Sequence, residues 1–227
     1  MRILTGPDGP RDDLTDADLL SLYAAPSTPW LRANMVSTID GAATGETGRS
    51  GSINNEVDKR VFDTLRSLAD AILVGAGTAE AEGYRPADRP LVLISRSGRV
   101  PERLRDAEPG RVLLATCQAA TGLDQARDQL GQDHVLVMGG HRVDLAELKA
   151  RLVERGWQQP LCEGGPHVLR DLVDQGVLDE LDATVVPRLV GGEHPRITDG
   201  PPVDVPLRLG LLLEEQHTLL ARWFVER

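Results

Sequence analysis

Short apolar runs alternate with amphipathic stretches along most of this chain. Residues 71–74, 91–94 and 112–115 are apolar at every position, a pattern typical of strands that are buried on both faces. Apolar residues at helical spacing fill several of the stretches between such runs. Strands that alternate with helices predict an α/β fold, with a mostly parallel central sheet and helices on both of its faces.

The remaining elements follow from the same patterns and from residues that begin helices. Asn54 or Asn55 can cap a helix that runs to about residue 69. Asp144, with Glu147 three residues later, predicts the start of a helix that ends near residue 156. Further strands are predicted at residues 31–39, 135–138, 161–162 and 181–186, and further helices at residues 123–130 and 168–175.

The two ends of the chain differ from this alternating region. Residues 1–29 are rich in Pro, Gly and Asp and predict a peripheral arm with one short helix, while residues 30–227 form the main domain. Residues 207–214 and 218–225 flank a polar turn and predict an antiparallel pair at a sheet edge. A long apolar edge invites aggregation unless it is covered, which favours a homodimer.

The length and composition narrow the class of protein. A chain of 227 residues with 41% hydrophobic residues fits a single domain with a sizeable core. The 35 acidic residues outnumber the 25 basic ones, which are scattered, so neither nucleic acid nor a membrane surface is expected as a partner. No signal peptide is recognisable, and no apolar stretch approaches the roughly 20 residues of a membrane span. We expect a cytoplasmic protein with a small-molecule partner.

A pair of glycines follows the predicted strand at residues 161–162. Glu163 ends the strand, Gly164 and Gly165 come next, and a helix begins after them. The glycines let backbone amides approach a ligand without an intervening Cβ, tolerate positive φ, and lie at the positive end of a helix dipole. This pattern predicts a phosphate-binding turn with a carboxylate beside it. An ordinary tight turn between strand and helix is the alternative.

A similar element follows the strand at residues 71–74. Gly75, Gly77 and Thr78 combine close backbone approach with a hydroxyl, although Glu80 stands where the dinucleotide fingerprint has a third glycine. The usual fingerprint is therefore not met, and a plain turn is the alternative to a cofactor-binding one.

Ser95, Arg96 and Ser97 follow the predicted strand at residues 91–94. A guanidinium between two hydroxyls suits a phosphomonoester such as the 2′-phosphate of NADP. No Asp or Glu ends this strand to bind a free ribose 2′-hydroxyl, so NADP is favoured over NAD if a dinucleotide binds. A solvated loop is the alternative for this cluster.

The usual motifs of metal and nucleophilic catalysis are not found in the sequence. The five histidines and two cysteines show no H-x-E, H-E-x-x-H or C-x-x-C spacing, so no metal site is predicted. A G-x-S-x-G elbow and a G-x-x-x-x-G-K-[ST] loop are also missing from the sequence.

Four motifs occur in a characteristic order along the chain. They are residues 34–41, residues 65–66 with 69–78, residues 163–166, and residues 177–181 continuing through 187 and 191–192. In this order they resemble the reductase domain of the riboflavin-biosynthesis deaminase-reductases, a domain similar in fold to dihydrofolate reductase. The resemblance extends over about residues 29–225, and the zinc signature of the deaminase half is not in the sequence. A stand-alone reductase is therefore expected.

The resemblance implies an activity. Such a reductase transfers a hydride from NADPH to the ribosyl C1 of a 5-amino-6-ribosylamino-pyrimidinedione 5′-phosphate, a step of riboflavin biosynthesis. The cofactor carries the reactive hydride, so the protein contributes positioning more than reactive side chains. The resemblance also implies a homodimer.

The resemblance further implies roles for individual residues. Ser95 or Arg96 would contact the 2′-phosphate, and residues 164–169 would surround the pyrophosphate. The cofactor-binding set is Thr78, Glu82, Ser95, Arg96, Gly164, Gly165, Pro166, His167, Val168 and Leu169. The substrate-binding set is Ser50, Arg66, Arg89 and Glu163, with the arginines toward the phosphate and Glu163 toward the pyrimidine. Asp40, near the nicotinamide, and Glu163 are the catalytic candidates.

Some of these assignments have alternatives. Arg66 could be a solvated or ion-paired helix residue, and Asp40 could simply form a turn. The chain also departs from the family pattern, with Ser52 in place of a common tryptophan and residues 82–86 in place of an Asp-Asp-Pro segment. Reduction of a pterin or dihydrofolate-like ring therefore stays open as a second function, and a catalytically silent nucleotide-binding protein as a third.

Overall fold

The computed structural model describes residues 1–7 and 9–226. In this part of the chain, ten strands form one sheet, and six helices accompany it. The strands are β1 (Arg2–Thr5), β2 (Arg32–Thr38), β3 (Ala71–Gly75), β4 (Leu91–Ile94), β5 (Val112–Thr116), β6 (Val135–Val137), β7 (Pro160–Cys162), β8 (Glu180–Val186), β9 (Leu207–Glu215) and β10 (Thr218–Val225). The helices are α1 (Asp16–Leu22), α2 (Glu56–Leu68), α3 (Ala76–Glu82), α4 (Leu123–Leu130), α5 (Leu145–Glu154) and α6 (Pro166–Asp174). None of the helices within the described residues has both the length and the apolar character needed to cross a membrane.

The sheet is parallel over most of its width and antiparallel at one end. Its strand order is β1-β9-β10-β8-β2-β7-β3-β4-β5-β6. The neighbouring pairs from β8 to β6 are parallel, whereas β1, β9, β10 and β8 pair antiparallel. The predicted α/β class, with an antiparallel part built from the C-terminal strands, is confirmed.

Two apolar layers, one on each face of the sheet, form the core. Ile72 and Val74 of β3 belong to one layer and Leu73 to the other, because successive side chains of a strand point to opposite faces. Helices α1 to α4 contribute to the first layer, and α5 and α6 contribute to the second, where Leu169 is fully buried. Helices therefore cover both faces, as predicted.

Most elements lie where the sequence predicts them, and β4 and α4 agree residue for residue. Helix α2 is capped by Asn55, whose side-chain oxygen accepts a hydrogen bond from the Asp58 amide at 2.9 Å. Asp144 caps α5 in the same way, accepting from the Glu147 amide at 2.9 Å. Helix α6 begins two residues before its predicted start, at Pro166, since proline is well suited to the first helical turn.

The first 29 residues are built into the domain more closely than a peripheral arm would be. Strand β1 pairs with β9 and forms one edge of the sheet. Leu19 and Tyr23, on and beside α1, are buried in the first core layer, whereas Leu20 is exposed. The division between an arm and a reductase domain at residues 29 and 30 stays a prediction.

The C-terminal hairpin does not provide the sheet edge that its sequence predicts. Strand β10 lies between β8 and β9, and β9 is covered in turn by β1. The edges are instead the short strands β1 and β6, a length that limits pairing with other chains. An exposed apolar hairpin edge therefore no longer supports a homodimer, which stays a prediction from the resemblance.

Candidate active site

Two adjoining clefts lie beside the turns that follow β3 and β7. The main cleft has a volume of about 720 Å³ and extends along α2, and the second, of about 380 Å³, extends past the end of β4. Both are bordered by the same turn residues, Gly77, Thr78, Gly165, Pro166 and His167. The carboxyl ends of parallel strands are the usual ligand-binding side of an α/β sheet, so these clefts form the candidate site.

The glycine turn after β7 separates the two clefts. Gly164 has a φ of +84°, and the peptide bond between Gly164 and Gly165 is cis. Gly165 has a φ of −77°, so its requirement for glycine is steric: an added Cβ would lie 2.2 Å from the hydroxyl oxygen of Thr78. Gly165 is the N-cap residue of α6 and has no side chain that could accept from the first amides of the helix. These amides therefore face the turn without a capping group. This geometry is compatible with an anion held against the backbone, and phosphate binding by the turn stays a prediction.

The second cleft contains the hydroxyl-guanidinium cluster after β4. Ser95, Arg96, Ser97 and Arg99 line it together with residues of the glycine turn. The Ser95 hydroxyl accepts a hydrogen bond from the Arg99 amide at 3.1 Å and lies 3.3 Å from the Ser97 hydroxyl. The cluster is thus a folded turn that lines a concave surface. Arg99, which sequence reasoning missed, is hydrogen-bonded to Glu80.

A buried carboxylate dominates the main cleft. Both oxygens of Glu163 accept hydrogen bonds from Arg66, at 2.6 and 2.7 Å, and one also accepts from the Tyr84 hydroxyl at 2.5 Å. The Glu163 side chain is 2% exposed and that of Arg66 is 38% exposed. The hydrogen bond to Glu163 raises the pKa of Arg66, and burial together with the Glu163 charge raises the pKa of Tyr84. The three side chains form one unit.

Helix α2 presents a stripe of functional side chains to the main cleft. Asp58, Phe62 and Arg66 recur every fourth residue, and all three line the cleft. The Arg66 guanidinium lies 4.4 Å from the centre of the Phe62 ring. Burial raises the pKa of Asp58, an effect that a hydrogen bond with Thr184 opposes. Sequence reasoning missed Asp58 and Phe62, although the same four-residue spacing could have revealed them.

Asp40 has a different position from the one expected for a catalytic residue near the nicotinamide. It is not among the described residues that line either cleft. Its carboxylate accepts hydrogen bonds from the Thr38 hydroxyl at 2.5 Å and from the amides of Val190 and Gly191 at 3.1 and 2.7 Å. These bonds, that from Thr38 above all, lower the pKa of Asp40 to about 2. This geometry favours the alternative to a catalytic role, in which Asp40 forms a turn and stabilises the loop after β8 through hydrogen bonds.

Asp40→Asn is expected to destabilise the fold at neutral pH and to lose this effect in acid. The pKa of Asp40 is lower in the folded chain, about 2, than its ordinary value of 3.8, so ionisation stabilises the fold above pH 3.8. This contribution disappears as the pH falls through about 2. Denaturant unfolding at a series of pH values measures the difference. A stability gap between the two proteins that stays constant down to the lowest pH would contradict this role.

The other predicted site residues divide into two groups. Ser50 and Arg89, which are predicted to bind the substrate, line the main cleft. Glu82, which is predicted to contact the cofactor, also lines the main cleft and not the second one, and it accepts a hydrogen bond from the Ser50 amide at 2.8 Å. Gly164 and Leu169 are not among the described residues that line either cleft. The Leu169 side chain is in the core and its amide donates to the Gly165 carbonyl, because the first turn of α6 directs this residue inward.

The two clefts offer different sets of polar groups. One cleft offers hydroxyls, a guanidinium and helix amides, and the other offers arginines and buried carboxylates. Among the residues that the structure describes, no group of three or more His, Cys, Asp or Glu side chains is placed to hold a metal ion. The hydroxyls, guanidinium groups and helix amides that line these clefts suit organic anions.

Solved structures identify the class of fold. A pyrimidine reductase-like protein from Corynebacterium diphtheriae superimposes with a TM-score of 0.80 and 25% identity, over 94% of this chain and all of that one. Dihydrofolate reductase from Enterococcus faecalis, in complex with NADP(H), superimposes with a TM-score of 0.50 and 16% identity over 88% of this chain and 98% of that one. The fold is that of the dihydrofolate-reductase-like reductases, as predicted.

Sequence relatives identify the family. The family model described as the RibD C-terminal domain matches residues 29–219, and the chain belongs to this family. The 2,5-diamino-6-ribosylamino-4(3H)-pyrimidinone 5′-phosphate reductase of Archaeoglobus fulgidus is 29% identical over 76% of this chain and 87% of its own length. The protein of the same name from Methanothermobacter thermautotrophicus is 29% identical over 84% of this chain and 94% of its own. The resemblance inferred from the four motifs is confirmed.

Proposed function

We propose that this protein is an NADPH-dependent reductase of a 5-amino-6-ribosylamino-pyrimidine 5′-phosphate in riboflavin biosynthesis. The observation that carries the proposal is the pair of clefts that meet at Thr78 and Gly165, one suited to a dinucleotide and one to a phosphorylated heterocycle. The names of the archaeal relatives, both pyrimidinone 5′-phosphate reductases, support it.

The reaction requires positioning and one proton. When the bond between C1 and the ribose ring oxygen breaks, the oxygen takes a proton and C1 becomes doubly bonded to the amino nitrogen. The nitrogen of this open-chain form keeps its hydrogen and carries a positive charge, so the hydride that bound NADPH would supply to C1 completes the ribitylamino product with that single proton. The protein must therefore hold C1 beside the cofactor and fix the two ends of the substrate.

The dinucleotide would occupy the second cleft and reach the main one across the glycine turn. Ser95 and Arg96 would hold the 2′-phosphate, and the amides at the start of α6, beside Gly165, would hold the pyrophosphate. Gly165 and Thr78 support this placement because both border the two clefts, and their close approach leaves no space for a Cβ between the turn and the start of α3.

The substrate would occupy the main cleft. Arg66 and Arg89 would bind its phosphate, and Ser50 and Glu163 would also contact it. The Arg89 guanidinium donates to the Ser67 carbonyl at 3.0 Å, which orients it along the cleft. Glu163 holds Arg66 with both oxygens, so we infer that its first task is to orient this guanidinium.

Consumption of NADPH tests the proposal. The purified chain should oxidise NADPH when the ribosylamino-pyrimidine phosphate is added, monitored by loss of absorbance of the reduced nicotinamide. Dihydropterin and dihydrofolate serve as parallel substrates, since the fold alone also allows a pterin. Turnover of a pterin but not of the pyrimidine would favour the second function, and NADPH binding without any turnover would favour a catalytically silent protein.

Arg96→Ala is expected to weaken NADPH binding about tenfold or more and to leave NADH binding nearly unchanged. A charge-assisted contact to a phosphate is worth roughly 1.5 to 3 kcal/mol, and NADH has no 2′-phosphate. Titration calorimetry with both cofactors measures the effect. Arg111→Ala is the control, because this exposed arginine precedes β5 and lines neither cleft. An equal loss for both cofactors would remove Arg96 from this role.

The protein is also expected to be a homodimer, on the basis of the family resemblance. Light scattering at micromolar concentration should return twice the sequence mass of 24.6 kDa. A value near 24.6 kDa at every concentration would exclude a stable dimer.

A further inference from the structure

Two candidate substrates differ in one group on the pyrimidine. The compound in the names of the archaeal relatives has an amino group at C2. The pyrimidinedione expected from the resemblance has a carbonyl oxygen there instead. A 2-amino-4-oxo ring presents two adjacent donors, the ring N3–H and the amino N–H. A 2,4-dioxo ring presents N3–H flanked by two acceptors, so the group that faces this edge decides which ring binds.

Asp58 is a buried carboxylate in the main cleft with an oxygen that can accept from such an edge. It lines the cleft from α2, beside Asn34 and Phe62, and is 2% exposed. Its Oδ1 atom accepts no hydrogen bond from any described residue, while a hydrogen bond joins the side chain to Thr184 on β8. A buried acceptor without a donor is destabilising, and a ligand that donates to it offsets this cost.

Glu163 and Glu82 also line the main cleft, and both accept hydrogen bonds from neighbouring residues. Both oxygens of Glu163 are bound by Arg66, and one of them by Tyr84 as well. Glu82 accepts from the Ser50 amide. Glu163 is therefore already paired with one cation and one hydroxyl, whereas the Oδ1 atom of Asp58 is left to accept from the adjacent N–H donors of a ligand.

We propose that Asp58 is the specificity-determining residue of this reductase and binds the N3–H and 2-amino edge of a 2-amino-4-oxopyrimidine. A 2-oxo ring would place a carbonyl oxygen against the carboxylate, which repels it and leaves a buried acceptor unpaired. The chain therefore selects the diamino substrate over the deaminated one. This inference rests on the proposed function and deepens it.

The test compares the two ribosylamino-pyrimidine 5′-phosphates, 2-amino and 2-oxo, as substrates of the full chain with NADPH. The unmodified protein should favour the 2-amino substrate in kcat/KM by at least tenfold. Asp58→Asn should lower kcat/KM for that substrate roughly tenfold to a hundredfold, as expected for loss of a charged acceptor. It should leave the 2-oxo substrate unchanged or improved, because the amide can donate to the 2-oxo group.

Asp63→Asn is the matched control. Asp63 lies on the same helix, is exposed, pairs with Lys59 and does not line either cleft, so both substrates should be unaffected. The Kd for NADPH should be the same in the unmodified protein and both variants, which separates a substrate effect from misfolding.

The outcomes distinguish the inference from the proposed function. Turnover of neither pyrimidine would overturn the proposed function and the inference with it. Turnover of both with equal kcat/KM, a preference for the 2-oxo ring, or an equal loss for both in Asp58→Asn would overturn the inference alone. If Asp58→Asn does not fold, calorimetric binding of the 2-amino and 2-oxo ribitylamino products to the unmodified protein decides, with tighter binding of the 2-amino product expected.

Discussion

Gly165→Ala is expected to weaken NADPH binding by roughly a hundredfold, which corresponds to about 2.8 kcal/mol. The added Cβ would lie 2.2 Å from the Thr78 hydroxyl oxygen, so the turn after β7 and the start of α3 must move apart. These two segments border both clefts, and their backbone is the surface that a pyrophosphate would contact. The displaced packing should also lower the free energy of unfolding, by about 1 to 3 kcal/mol.

Gly51→Ala provides the control for this variant. A Cβ at Gly51 meets no atom within 4 Å, and the residue lines neither cleft, so cofactor binding and stability should stay close to those of the unmodified protein. Calorimetric titration with NADPH and denaturant unfolding measure the two effects. If Gly165→Ala folds and keeps its NADPH affinity, the phosphate lies elsewhere. Gly165 is required because a Cβ would clash with Thr78, and not because of a positive φ, which the structure shows at Gly164.

Arg66→Ala is expected to lower kcat/KM for the phosphorylated pyrimidine roughly tenfold to a hundredfold and to destabilise the fold. The phosphate would lose a cation, and the carboxylate of Glu163, which is 2% exposed, would lose its bidentate hydrogen-bond partner. Removal of one member of a buried pair costs about 3 to 5 kcal/mol, and the partial exposure of Arg66 puts the expected loss below that range. NADPH affinity should stay near that of the unmodified protein, because Arg66 does not line the second cleft.

The preference for a phosphorylated over a dephosphorylated substrate identifies the phosphate-binding group. Arg66→Ala should reduce the ratio of kcat/KM between the phosphorylated and the dephosphorylated substrate. If the variant keeps the ratio of the unmodified protein, Arg89 is the phosphate-binding residue instead. Arg60→Ala is the control, since Arg60 lies on α2, pairs with Asp16 and does not line the main cleft.

Glu163→Gln should also narrow the preference, because the released Arg66 loses its orientation. The family resemblance places Arg66 at the phosphate and Glu163 at the pyrimidine. On that basis alone, Glu163→Gln would leave the preference for the phosphorylated substrate unchanged. A double-mutant cycle should therefore give a coupling energy of about 0.5 to 3 kcal/mol between them, and strictly additive losses would contradict the shared unit.

The sequence alone determined the class of fold and the position of the glycine turn. Apolar runs of strand length, as in β3 and β4, must be buried on both faces, so their alternation with amphipathic helices leads to a covered parallel sheet. Gly164 and Gly165 are recognisable because the requirement they meet is one of backbone space. Both features depend on residues that are neighbours in the chain, so they can be recognised from the sequence.

The tertiary structure decided which side chains meet. Arg66 and Glu163 are 97 residues apart in the chain, and Tyr84 and Glu163 are 79 residues apart. Their hydrogen bonds therefore cannot be predicted from a spacing in the sequence. Asp58 is recognisable as a candidate because α2 turns it toward the cleft and leaves its Oδ1 without a donor among the described residues. Likewise, β1 covers the hairpin edge by pairing across the whole length of the chain. Such contacts depend on how elements pack, and packing is a property of the folded chain as a whole.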